Sequence, residues 1–347
     1  MKTTLNFDLV GWLEHVLTQA LGMNSDKHLL LLADEYFLPS LSAWQRPLLA
    51  IKATEDNKSL ATLDRIYTFL HEHNATRHSW LICLGGGMIT DIGGFAAATF
   101  KRGMRVAYVP TTLLAMVDAS IGGKTSINGN GVKNEIGVIR QPHYCFTNHA
   151  FVVSQTLKDR LSGFAEMLKH ALVADKQEWV KLLLFLENDG LKKVDGSLSE
   201  LIEHSRQIKE QVVSTDIDDT DRRQILNFGH TIGHAIEALS YQKHQPLPHG
   251  YAVMQGIVAE LYLSCINQHL PQQVLSHAAR VMKEYYGKPD CQCSDYDTLI
   301  RLMYADKKNQ TAHNIQFTLL QDIGQPIVKQ TVTEKEIKEA LDYLFTI

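Results

Sequence analysis

Trp80-Leu81-Ile82-Cys83-Leu84-Gly85-Gly86-Gly87-Met88-Ile89-Thr90-Asp91 is an apolar run that ends in three glycines and resumes with helical spacing as far as Phe100. A short apolar run closed by glycine predicts a strand buried on both faces, followed by a tight turn into a helix. That junction aims backbone N–H groups and the positive end of a helix dipole at one point, which suits a pyrophosphate. Three glycines also suit a turn that holds nothing. Asp91 reads either as an acid favoured by the helix dipole or as an acceptor for a ligand hydroxyl.

Further apolar runs lie at 29–32, 48–51 and 106–109, with helical patterns at 60–71 and 89–100. Alternation of this kind predicts parallel strands in an α/β nucleotide-binding domain. Past Thr156 the pattern changes. Helical periodicity dominates at 166–173, 179–186, 201–213, 230–239, 251–266 and 271–286, and only 315–320 reads as a strand. The expected organisation is therefore an α/β N-terminal nucleotide-binding domain with a parallel sheet over residues 1–155, then a mostly α-helical domain over 156–347, the metal-binding domain if the histidines described below act as ligands.

Composition narrows the function classes. The 347 residues are 45% hydrophobic and 21% charged, with a net charge of −4 and no long basic block. That leaves no electrostatic footprint for nucleic acid. Five cysteines without a C-x-x-C pair read as free thiols of a reducing compartment. Asp8, Glu14 and His15 interrupt the apolar pattern at the N-terminus, and no run is long enough to span a membrane. A cytoplasmic location and no membrane partner are expected.

Two stretches carry chemistry. Gly229-His230-Thr231-Ile232-Gly233-His234 puts two imidazoles four residues apart on one helix face, and His249 follows fifteen residues after His234. Imidazoles with a carboxylate make an open site for a borderline divalent metal, and Glu166 in Gly163-Phe164-Ala165-Glu166 is the carboxylate candidate. In a chain of sixteen histidines, surface or capping roles explain such residues equally well. Lys124 and Lys133 lie in what reads as glycine-rich loop, suited to an anion or simply to solvent. Arg102, Lys169 and Arg223 add further cations, a combination that suits a phosphorylated, carboxylated substrate.

Seven motifs occur in order: Gly85-Gly86-Gly87-Met88-Ile89-Thr90-Asp91, Pro110-Thr111-Thr112-Leu113-Leu114, Val117-Asp118-Ala119-Ser120-Ile121-Gly122-Gly123-Lys124, Val132-Lys133-Asn134, Gly163 to Lys169, Leu226 to Ala235, and His249-Gly250-Tyr251-Ala252-Val253. Together they resemble the 3-dehydroquinate synthase family and, more broadly, the sugar-phosphate cyclases, over about residues 34–308. The resemblance implies a divalent metal, zinc by family habit with cobalt as a substitute, on Glu166, His230 and His249. It implies NAD on Asp34, Glu55, Lys58, Gly86, Gly87, Asp91, Thr111, Thr112 and Lys133. Catalytic roles fall on Lys124, Asp118, Lys169, Asn227, Arg223 and His234, the last as a proton relay. Substrate contacts fall on Arg102, Asn134, Lys209 and Lys308, with Arg102 reaching across a homodimer.

Each transfer has a plainer counterpart. Asp118 and Glu166 also read as helix-surface acids, Lys169 as an i,i+3 partner of Glu166 on an exposed face, and Asn227 as a cap for the helix near His230. The sequence also departs from the family pattern. Tyr251 replaces an acid beside His249 and is expected to alter how that ring is oriented. The acidic stretch before Arg223 reads Asp216-Ile217-Asp218-Asp219-Thr220-Asp221, and the segment at Thr156-Leu157-Lys158 is shortened.

The implied reaction converts 3-deoxy-D-arabino-heptulosonate 7-phosphate to 3-dehydroquinate and phosphate, by transient oxidation with NAD, elimination, re-reduction and aldol closure. Three other readings compete. They are a cyclase for another sugar phosphate, a metal-dependent alcohol dehydrogenase of the glycerol-dehydrogenase type, and an inactive relative kept for ligand sensing.

Overall fold

In the computed structural model, residues 5–22, 28–129, 132–305 and 315–347 are described, and they fall into two compact units, 1–156 and 157–347. The first is built on five parallel strands: β1 (Leu29–Asp34), β2 (Leu48–Ile51), β3 (Trp80–Gly85), β4 (Arg105–Pro110) and β7 (Tyr144–Cys145), in the order β2-β1-β3-β4-β7. Central β1 and β3 are apolar and buried along almost their whole length, as strands covered on both faces must be. Their register sets Leu31 beside Ile82 and Ala33 beside Leu84.

Helices α1 (Leu9–Leu21), α2 (Leu60–Glu72) and α3 (Gly87–Thr99) belong to this unit. One core joins Leu63, Ile66 and Phe69 of α2 and Ile89, Ile92 and Phe95 of α3 to strand residues such as Leu30, Leu81 and Val106. Helix α3 lies unusually close to the sheet. A Cβ at Gly93 would come within 2.4 Å of the Cys83 sulfur, and one at Gly94 within 2.0 Å of the Tyr108 hydroxyl. The two glycines therefore set the depth at which the helix N-terminus sits above β3.

The remaining strands of this unit, β5 (Lys124–Gly129) and β6 (Val132–Ile139), form an antiparallel hairpin. This corrects the loop expected around Lys124 and Lys133. All but one of the described β6 residues are exposed, and the alternating Val132, Ile136 and Val138 are interrupted by Asn134 and Gly137, which read as loop.

The second unit is helical: α4 (Leu157–Ala174), α5 (Lys176–Glu187), α6 (Gly190–Lys193), α7 (Gly196–Thr215), α8 (His230–Gln242), α9 (His249–Gln268), α10 (Gln272–Val281), α11 (Tyr296–Tyr304) and α12 (Glu334–Thr346). The strand expected at 315–320 is β8 (Gln316–Leu320), paired antiparallel with β9 (Pro326–Thr331). Helix α9 is the axis of this unit. Every residue from Ala252 to Leu261 is buried, and α4, α8, α10, α12 and β8 pack around it. A helix enclosed on all sides reads as apolar all round, and Glu260 is the one acid in that buried run. Among the described residues no helix is long and apolar enough to cross a membrane.

Candidate metal centre and cofactor cradle

Glu166 lies in the middle of α4 with no exposed surface. The i,i+3 ion pair with Lys169 is present at 2.5 Å, but both residues are buried, which overturns the exposed-face reading. The Nε2 atoms of His230 and His249 each lie 3.3 Å from the same oxygen, Oε1. So a carboxylate from α4 and two imidazoles, each the first residue of its helix, converge on one point. Neither Glu166 oxygen accepts a hydrogen bond of good geometry. A wholly buried carboxylate in that condition, facing two ring nitrogens, is a fitting donor set for a divalent cation.

The outer nitrogens are spoken for. His230 Nδ1 lies 3.0 Å from the Phe228 carbonyl, and His249 Nδ1 lies 2.9 Å from Glu237 Oε2. Both contacts turn Nε2 inward, the arrangement typical of ligating histidines. Glu237 was not foreseen. Its signal was available, since His230, His234 and Glu237 follow an i, i+4, i+7 pattern on one face of α8. Tyr251 lies two residues beyond His249. Its ring packs edge-on to Tyr286, 5.1 Å away, and Glu237 holds the imidazole. His234 stands with its ring 5.1 Å from His230 and 5.8 Å from His249. The three histidines offer nitrogens within 4.8 Å of one another.

Electrostatics follow from this crowding. Burial alone would push the Glu166 carboxyl up, but Lys169 and His230 outweigh it and hold the group well below the usual carboxylate range. Burial would push His249 down, yet Glu237 and Glu166 overcome it and raise the imidazolium to about 10.

Three further cations lie in this unit. Lys169, Lys209 on α7 and Arg223 are at most 7% exposed. Buried cations need partners within the protein, as Lys169 has in Glu166. Arg223 is set by a loop that Asp216 organises: its carboxylate accepts the backbone N–H groups of Thr220, Asp221 and Arg223 at 3.1, 2.8 and 3.0 Å, and the Arg223 guanidinium donates to the Ile217 carbonyl at 2.7 Å. Asn227 closes the 3₁₀ turn Arg222–Asn227 and does not cap α8, whose N-cap is Gly229. Lys308 lies outside the described residues.

A first prediction arises at Asp216. Partial desolvation pushes its carboxyl up, but the three backbone donors prevail and depress it from 3.8 to about 2. The folded state thus favours the charged form, so the stabilisation is complete above the ordinary value and fades as pH falls towards about 2. Denaturant unfolding should show Asp216→Ala less stable at pH 7 by about 1 kcal/mol, solvent screening included. That gap should shrink steadily below about pH 4. A gap constant with pH would refute the assignment.

In the first unit, Gly86 caps α3 and Thr111 N donates to the Gly85 carbonyl at 3.0 Å. A Cβ at Gly86 would press on Thr112 at 3.0 Å and one at Gly87 on Ala119 at 3.2 Å, so side chains there would narrow the space at the helix N-terminus. Asp34 ends β1 and accepts the Tyr36 amide at 3.2 Å. Lys58, almost fully buried, donates to Asp91 at 2.5 Å and to Asn134. Asp91 is thus neither a bare first-turn acid nor yet engaged by a hydroxyl: its partner is Lys58. Burial raises its carboxyl despite that cation. Asn128 bridges the group, donating to Glu55 at 2.8 Å and accepting the Asn134 amide at 2.9 Å. Glu55, Lys58, Asp91 and Asn134 therefore form one polar cluster. Asp118 lies on the π-turn Ala115–Ala119, Lys133 is half-buried on β6, and Lys124 and Arg102 are exposed.

The profile described as 3-dehydroquinate synthase N-terminal matches residues 48–162, and that described as 3-dehydroquinate synthase C-terminal matches residues 163–309. A curated 3-dehydroquinate synthase of Parabacteroides distasonis is 45% identical over 304 residues, covering 87% of this chain and 85% of the relative. Among solved structures, ValA (2-epi-5-epi-valiolone synthase) from Streptomyces hygroscopicus subsp. jinggangensis, with NAD+ and Zn2+ bound, is similar with a TM-score of 0.82. It is 23% identical and the match covers 92% of this chain and 90% of that one. A 2-deoxy-scyllo-inosose synthase complexed with carbaglucose-6-phosphate, NAD+ and Co2+ gives 0.77 at 23% identity, covering 95% and 94%. At such identities these two structures speak for the shared fold.

Proposed function

Since the chain belongs to the 3-dehydroquinate synthase family, we propose that it converts 3-deoxy-D-arabino-heptulosonate 7-phosphate to 3-dehydroquinate and phosphate, a carbon–oxygen lyase step of the shikimate route to aromatic amino acids. The observation that carries the reading is the meeting of Glu166, His230 and His249 around one buried carboxylate oxygen. When bound, NAD supplies a reversible hydride acceptor and the divalent ion a Lewis acid for neighbouring substrate oxygens.

This chain's own residues have the following parts. Glu166, His230 and His249 would hold the ion, with Glu237 fixing the tautomer of His249. Gly86, Gly87, Thr111 and Thr112 would cradle the pyrophosphate of NAD, while Asp34, Glu55, Lys58, Asp91 and Lys133 would bind the rest of the dinucleotide. Lys124, Lys169, Lys209, Arg223, Asn134, Arg102 and Lys308 would grip the substrate's carboxylate, hydroxyls and phosphate, with Arg102 supplied by the second subunit of a homodimer. Asn227 and Asp118 would orient the reacting hydroxyls. His234 would carry a proton on its ring between substrate oxygen and solvent.

Membership of the 3-dehydroquinate synthase family favours the keto acid over sugar phosphates that lack a carboxylate. The test is phosphate release from the seven-carbon keto-acid phosphate, sedoheptulose 7-phosphate and glucose 6-phosphate. Release is expected from the first alone, lost with a chelator, restored by zinc or cobalt, and accompanied by no net NADH. Accumulating NADH would identify a dehydrogenase instead. Release from either of the other two sugar phosphates at a comparable rate would overturn the substrate assignment.

A further inference from the structure

The buried acid of α9 has a task that no ligand role accounts for. Glu260 has no exposed surface, and its carboxylate accepts three backbone N–H groups at the start of α8: Gly229 at 2.6 Å, Thr231 at 3.0 Å and Ile232 at 3.2 Å. These amides flank His230 on both sides. One rigid acceptor thereby fixes the backbone immediately before and after the proposed ligand.

At Gly256 the two helices approach backbone to backbone. A Cβ at Gly256 would lie 2.0 Å from the Gly229 carbonyl oxygen and 2.6 Å from the Gly233 nitrogen. Helix α8 can thus settle onto α9 only in close register, and Glu260, one turn beyond Gly256, closes the fit with charge-assisted hydrogen bonds. The other end of α9 is fixed on α4. Gly250 N donates to Ser162 Oγ at 3.0 Å, one turn from Glu166. Helix α9 therefore bears His249 itself and sets the places of the helices that carry Glu166 and His230.

Gly229 is left-handed with φ +77°, and a Cβ there would lie 2.5 Å from Ile257 Cγ1, so a capping side chain at that position has no room to serve the end of α8. An enclosed carboxylate costs desolvation, and here it is bound by donors on both sides of a single histidine. We propose that Glu260 is a positioning residue for the metal centre, holding His230 Nε2 against Glu166 through the backbone of Gly229, Thr231 and Ile232. The inference rests on the metal reading above.

The test is cobalt(II) titration of chelator-treated protein, followed by visible absorption and by competition with a chelating dye. Wild-type chain, Glu166→Ala and Glu260→Gln are compared, with NAD+ affinity and far-UV circular dichroism as controls of folding. Wild type should bind one equivalent, and Glu166→Ala should abolish that binding. Glu260→Gln should bind cobalt about 10–100-fold more weakly, with a shifted ligand-field band and unchanged NAD+ affinity. Wild-type affinity and spectrum in Glu260→Gln would overturn the positioning role and leave the metal site standing. No binding by wild type would overturn the metal reading, and this inference with it. If Glu260→Gln does not fold, Glu260→Asp replaces it, since it withdraws the carboxylate by one methylene. Weaker binding would then support the role, and unaltered binding would refute it.

Discussion

Glu166→Ala is expected to reduce phosphate release by on the order of 10³ or more, because Lewis-acid assistance contributes several kcal/mol and each 1.4 kcal/mol is tenfold. A second consequence separates the site from the fold. Lys169 is 1% exposed and would lose the carboxylate 2.5 Å from its ammonium. Breaking a buried pair from one side costs about 3–5 kcal/mol, whereas replacing both partners by apolar groups is often neutral. Glu166→Ala should therefore unfold at markedly lower denaturant, and Glu166→Ala with Lys169→Met should recover much of that loss. Neither should bind zinc. Denaturant unfolding in chelator, beside metal analysis after dialysis, checks both halves. A double variant that regained metal as well as stability would exclude Glu166 as a ligand.

The parallel sheet was readable because its strands are enclosed. Continuous apolar runs at β1 and β3, closed by Asp34 and by Gly85, have no other economical explanation, and the structure extends each by only one or two residues. The hairpin β5–β6 was not read, because Val132, Ile136 and Val138 alternate among Lys124, Asn128, Asn134 and glycines that read as loop. Helix α12 carried a signal that went unused. Thr333 and Glu336 form a reciprocal capping box at its start, the pattern a sequence shows as Thr-x-x-Glu.

At the metal centre the difference is one of range. His230, His234 and His249 announce themselves by residue type and spacing, and Glu166 by its motif. What orients them is less local. Glu237 lay within reach as the next member of the same helix face. Glu260 acts on amides 28 to 31 residues away, so only the packing of α8 on α9 reveals it. Side chains that do chemistry are constrained by kind and leave a trace in sequence. Those that place them are constrained by position, and many arrangements of residues achieve the same placement.

Lys58→Met is expected to weaken NAD+ binding by about 30-fold or more while leaving metal affinity unchanged. Lys58 is 4% exposed and gathers Asp91 and Asn134 on its ammonium. Burial already raises the Asp91 carboxyl, and Lys58 is the largest influence opposing that rise. Without the cation, Asp91 relieves its desolvation by taking up a proton, and it then faces a ligand as a donor rather than as an anionic acceptor. A neutral Asp91 forfeits a charge-assisted hydrogen bond to the ligand worth about 2 kcal/mol, which corresponds to about 30-fold. The loss should therefore fall on the dissociation constant for NAD+, read by calorimetric titration. The proposed metal ligands all lie in the unit 157–347, which Lys58 does not share. Cobalt titration of the same preparation should accordingly match wild type. NAD+ affinity within twofold of wild type would remove the Lys58–Asp91 pair from the cofactor site. A parallel fall in cobalt affinity would mean that the substitution had disturbed more than the cradle it was chosen to test.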